Sequence, residues 1–248
     1  MIIYLYDGSF DGLFTAIFDS YVYKESPDVI TQTALTPSFL STVRQIITNK
    51  EKAMRVKNKL DKILNFQSKK AVDYAFRSNA ENKEILIYLY VKEILKHNKD
   101  VTENFANPNV YNLYKLFEKV RLEAHRFLGF VRFSLSDYGI YYAKICPDNN
   151  IVDLILPHFI RRFKSMAFVI HDEKRNIFAC YNNGKKLVFQ SDNGDEIFKN
   201  IKDDFSILWK KYYDTVNIKS RKNLKTMRNF MPTRYHKNLP EKDELNGI

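Results

Sequence analysis

Three groups of side chains in this chain have the types and spacing to do chemistry. The first is Glu123-Ala124-His125-Arg126, a carboxylate, an imidazole and a guanidinium within four residues. Glu123 and His125 lie two apart, so on one helix they point in different directions and form no contact pair by themselves. Facing a common cleft, they would serve as acid–base groups while Arg126 held a phosphate in fork geometry. The second is Pro157-His158-Phe159-Ile160-Arg161-Arg162. On a helix, His158 shares a face with Arg161 or Arg162, a titratable ring beside two cations, which suits phosphate. For each group the plain alternative is structural: a histidine satisfied in the core, or arginines in solvent.

The third group is the richest. Residues 218–238 carry Lys219, Arg221, Lys222, Lys225, Arg228, Arg234 and Lys237 without one carboxylate, interleaved with Phe230, Tyr235 and His236. Cations that track a phosphate backbone and flat rings that stack on bases are the ingredients of a nucleic-acid surface. Pro232 lies between Phe230 and Tyr235 and favours an extended presentation of both rings. The alternatives are a solvated basic tail, or rings that clasp the C-terminal segment to the domain. A second basic run, residues 44–70, holds nine Lys or Arg against Glu51 and Asp61. Lys52, Arg55, Lys59 and Lys62 fall on one helical stripe, which suits either a phosphate backbone or open solvent.

Other familiar chemistry is missing. Asp7-Gly8-Ser9-Phe10-Asp11-Gly12 joins a strand to a helix but matches neither GxxxxGK[ST] nor GxGxxG. Asp7 and Asp11 would repel a phosphate, which leaves a tight turn with Ser9 as helix cap. His125, His158 and His171 show no metal spacing, and Cys146 and Cys180 show no CxxC. No metal and no cofactor is expected, and no GxSxG elbow occurs.

These groups need elements to hold them. The chain has 248 residues, 45% hydrophobic and 15% aromatic, with net charge +11. That composition is globular, and the charge favours anionic partners. No window resembles a membrane span, so a cytoplasmic protein with no membrane partner is expected. Residues 2–6 read as a strand, and Phe10–Tyr21 as a helix. Residues 38–65 and 68–97 read as two helices each, with Glu84–His97 crossing the core. Residues 109–128 read as one long helix stopped by Gly129. Short β-prone runs follow at 130–134, 140–145, 166–171, 177–181 and 186–190, with a helix at 151–163 and a last helix at 195–216. Residues 171–176 and Asp148 read as turn chemistry. The expected class is α+β: a mostly helical part, residues 1–129, then an antiparallel sheet with covering helices and a basic C-terminal segment, residues 130–248. The two could form one body, with the first strand joining the later sheet.

Five segments in order carry a resemblance: Tyr6–Leu13, Arg121–Phe133, Gly139–Ala143, Pro157–Phe163 and Met231–Lys237. Together they make the chain similar, over nearly its full length, to the bacterial DNA-metabolism family encoded beside a DNA-modification or repair radical-SAM protein. In some bacteria a similar domain is fused to a uracil-DNA glycosylase-like domain. The resemblance implies a DNA-linked role and a radical-SAM partner. It brings no reaction, and no glycosylase signature occurs here.

The expectation is a nucleic-acid-binding accessory protein, for DNA before RNA. Arg126, Arg161, Arg162, Lys222, Lys225, Arg228, Arg234, Tyr235 and Lys237 would bind. The alternatives are an enzyme using Glu123 with His125 or His158, and an adaptor whose basic surface meets an acidic protein.

Overall fold

The computed structural model describes residues 1–33, 41–136, 139–191, 215 and 223–240. The chain divides into two units, Met1–Arg121 and Leu122–Ile248.

In the first unit β1 (Ile2–Leu5) is the middle strand of a three-stranded parallel sheet, between β2 (Val29–Thr31) and β3 (Thr42–Gln45). Helix α1 (Phe10–Val22) makes the crossover from β1 to β2 and buries Leu13, Ala16 and Ile17. Helices α2 (Lys50–Ile63), α3 (Phe66–Phe76), α4 (Lys83–His97) and α5 (Pro108–Phe130) follow. The α4 residues Ile87, Tyr90, Val91 and Ile94 are fully enclosed in the core, as the apolar density of that segment predicts. Side-chain oxygens start the helices: Ser9 accepts from Gly12 N, Asn49 from Lys52 N and Asn65 from Ser68 N.

Two expectations need correction in this unit. Residues 38–65 do not form two helices. Thr42–Gln45 is a strand, illegible because it is four residues long and mostly exposed, with no alternating apolar pattern. Nor does the first strand join the later sheet, since both its neighbours are β2 and β3.

One carboxylate of the unit makes a testable claim. Asp100 accepts from Ser68 Oγ at 2.6 Å, Thr102 Oγ1 at 2.5 Å, Thr102 N at 3.0 Å and Asn65 N at 3.2 Å. Burial raises its pKa, but these hydrogen bonds outweigh burial and hold it below the usual carboxylate range. A depressed folded-state pKa contributes stability above the unfolded value, and that contribution is lost as pH falls. Between about pH 4 and pH 2, stability should therefore drop less steeply in Asp100→Asn than in the wild type. Denaturant midpoints across that range check this.

In the second unit a five-stranded sheet runs in the order β4 (Ser134–Leu135), β5 (Tyr141–Ile145), β6 (Phe168–Asp172), β7 (Ile177–Asn182), β8 (Lys185–Gln190). The class is the expected mixture of helices and sheet, but the sheet is mixed rather than antiparallel. Strands β5 and β6 are parallel, because α6 (Val152–Arg162) returns the chain between them. Phe159 of α6 and Phe163, which caps it, pack edge-on against Phe133, and Phe163 also meets Phe168 of β6. Strands β7 and β8 form a hairpin through Asn183-Gly184, whose φ angles of 43° and 83° are those a two-residue primed turn requires. Helix α5 runs through Gly129 to Phe130, so the glycine does not stop it. A short helix α7 (Leu224–Phe230) and a 3-10 segment (Thr233–Asn238) close the described chain. The helix expected over 195–216 falls outside the described residues, apart from Thr215. Among the described residues, no helix is long and apolar enough to cross a membrane.

Candidate functional site

Parallel strands β5 and β6 end side by side at Ile145 and Asp172, with connections at 146–149 and 173–176. Polar groups from four parts of the second unit meet there. Glu123 of α5 is 3% exposed. Its Oε1 accepts from Asp148 N at 2.7 Å and from the Tyr235 hydroxyl at 2.7 Å. Its Oε2 accepts from Asn149 N at 2.8 Å and Asn149 Nδ2 at 2.6 Å. Four donors on one buried carboxylate satisfy its lone pairs and compensate its charge.

The same loop is held from its other side. Arg175 donates from Nη1 to Pro147 O at 3.2 Å and to Asp172 Oδ2 at 2.9 Å, and from Nη2 to Asp148 O. Burial pushes the pKa of Asp172 up, with the Arg175 guanidinium pulling against that rise. Arg234 Nε pairs with Asp148 Oδ2 at 2.7 Å, and Arg234 Nη2 donates to the Tyr235 hydroxyl at 3.0 Å. Burial disfavours the charge on Arg234, but Tyr235 and Asp148 more than offset this. Tyr235 is 5% exposed and lies edge-on to Phe127, with ring centroids 5.0 Å apart. Burial raises the pKa of its hydroxyl, and the hydrogen bond to Glu123 adds to that, so it remains a neutral donor. Lys237 Nζ reaches Glu173 Oε2 at 3.1 Å.

The structure thus brings together Glu123, Arg234 and Tyr235 of the expected residues in a clamp on the Pro147–Asn149 loop, with Lys237 at Glu173 of the neighbouring connection. It leaves the other expected acid–base groups apart. His125 is exposed on α5, and half-buried His158 of α6 packs against Phe159. No hydrogen bond or ion pair among the described residues joins either histidine to Glu123. The stacking role expected of Tyr235 is also corrected: a ring buried against Phe127 and Phe130 has no face for a base. Arg234 and Lys237 reach phosphates only in competition with Asp148 and Glu173.

Four of the remaining cations lie open. Arg161 and Arg162 are exposed at the end of α6, and Lys225 and Arg228 on α7. Arg126 Nη2 is 3.3 Å from Asn229 O, at the C-terminal end of α7. Beside it Phe230 is 73% exposed. Lys222 lies outside the described residues. In the first unit the α2 stripe is largely engaged. Lys52 pairs with Asp19 at 2.7 Å, Lys59 donates to Asn98 at 2.7 Å, and Arg55 lies over the Phe18 ring.

Asp148, Asn149, Asp172 and Arg175 escaped the sequence reading as site residues. Their signal was positional: they follow the C-terminal ends of two parallel strands, where open α/β sheets collect functional groups. It is visible only once 151–163 is recognised as a crossover.

The fold is thus a mixed sheet whose central parallel pair is closed by a C-terminal strap. The chain belongs to the DUF4130 family, a domain of unknown function whose model matches residues 81–241, from just before α4 through the strap. No curated protein matches the chain.

Proposed function

We propose that this DUF4130 protein binds nucleic acid, DNA foremost, as an accessory of DNA modification or repair working with a radical-SAM partner. The observation that carries this reading is Phe230, a large ring 73% exposed at the end of a helix bearing exposed Lys225 and Arg228. Arg126 sits against the same helix end. A solvent-exposed ring among cations that make no ion pair has little structural purpose, and stacking on a base gives it one. The net charge of +11 supports the same partner. The radical-SAM partner and the repair context follow from the family resemblance. Chains fused to a glycosylase-like domain would place a comparable surface beside that catalytic domain.

The enzymatic reading has less support. Glu123 already accepts four hydrogen bonds, and proton transfer there would dismantle the loop it holds. In an anisotropy titration across salt, the Lys225→Ala/Arg228→Ala double variant should flatten the slope of log affinity against log salt by about two, with unchanged melting. An unchanged slope would remove α7 from the interface.

A further inference from the structure

Among the described residues, β8 is the last strand of the five-stranded sheet, and all six of its residues are exposed. Leu187, Val188 and Phe189 put three large apolar side chains in succession, with Leu187 61% exposed. Edge strands are ordinarily protected by brevity, a bulge, a proline or charge. Strand β8 pairs with β7 residue for residue from Lys185 to Gln190, with no bulge and no proline. Its charges, Lys185 and Lys186, stand together at one end. The opposite edge strand, β4, is only two residues long.

The register says which backbone groups face outward. Asn182 and Lys185 flank the two-residue turn and form a hydrogen-bonded pair. Such pairs alternate along an antiparallel ladder, so Cys180 bonds Leu187 and Phe178 bonds Phe189. Ser191 N, which donates to Asn176 O at 3.0 Å, continues the series. Lys185, Leu187 and Phe189 therefore spend their N–H and C=O on β7, whereas Lys186, Val188 and Gln190 turn theirs to the open edge.

We propose that β8 pairs antiparallel with β8 of a second copy of this chain, about a two-fold axis at Val188, to give one continuous sheet. The edge is self-complementary in that register, which is what a two-fold contact requires. Val188 meets its own counterpart and Lys186 meets Gln190, so every outward-facing group finds a partner, two hydrogen bonds to each pair. Each ammonium faces a neutral carboxamide rather than a second cation. Leu187 comes opposite Phe189 in the closely spaced pairs between, which joins apolar side chains now left in water. An axis at Lys186 would instead set the two Lys186 side chains against each other. Assembly closes at the dimer, because β8 is consumed and β4 is too short to template another strand. This contact is independent of the nucleic-acid surface.

The test is sedimentation equilibrium of the full chain, free of nucleic acid, over a range of micromolar concentrations. Moderate salt screens the repulsion between two copies of net charge +11. A reversible monomer–dimer equilibrium is expected. Val188→Lys leaves the ladder to β7 intact and sets like charges across the axis, so association should weaken at least about tenfold at unchanged circular dichroism. Gln190→Glu places a carboxylate opposite Lys186 of the second copy and should tighten the dimer about threefold or more, whether or not Val188→Lys folds. A wild type that stays monomeric, leaving the edge to a strand of another protein, overturns the proposal, and so does assembly that runs past the dimer. A folded Val188→Lys that dimerises like the wild type, or a Gln190→Glu that does not tighten, also overturns it.

Discussion

Glu123→Ala should destabilise the second unit by about 3–5 kcal/mol. The substitution removes the acceptor shared by Asp148 N, Asn149 N, the Asn149 carboxamide and the Tyr235 hydroxyl, all now within 2.8 Å of Glu123. Each buried donor left unmade costs about 1–3 kcal/mol, and water entering the vacated space recovers part of the sum. Tyr235→Phe removes only one donor and should cost about 1–2 kcal/mol. Urea unfolding followed by circular dichroism measures both. A Glu123→Ala protein as stable as the wild type would show that the strap and loop are not held through this carboxylate. It would also reopen a catalytic role for Glu123.

Phe230→Ala should weaken binding of single-stranded DNA by about tenfold or more, at unchanged thermal stability. The ring is 73% exposed, so its removal sacrifices little buried area. Tyr235→Phe is the internal control, because it changes the strap without touching an exposed ring. Single-stranded affinity should fall in Phe230→Ala and hold in Tyr235→Phe. If Phe230→Ala binds like the wild type while melting early, the ring packs against something in solution and stacking is the wrong account.

What could be read from the sequence follows from which signals are local. The long amphipathic run of α5, the apolar α4 and the β-prone runs of β7 and β8 announce themselves within a few residues, and each is where it was expected. Strand direction is not local. Whether β5 and β6 run parallel depends on whether α6 carries the chain back along the sheet before β6 begins, and this set the polar loop cluster at 146–149 and 173–176. Likewise Phe230 and Tyr235 look equivalent in sequence, five residues apart around Pro232. Only the contacts of Tyr235 with Phe127 and Glu123 reveal that one ring is an anchor and the other is open. Arg234 and Lys237 counted as free cations for the same reason. Their partners Asp148 and Glu173 lie far away along the chain.

The central claim is that the open cations engage a polyanion, and fluorescence anisotropy of labelled DNA titrated with wild-type protein at a series of salt concentrations tests it most directly. With about six cations on phosphates, the slope of log affinity against log salt should lie between roughly −4, for single strands, and −5.5, for duplex. Failure to bind DNA or RNA of either form at low salt would contradict the account.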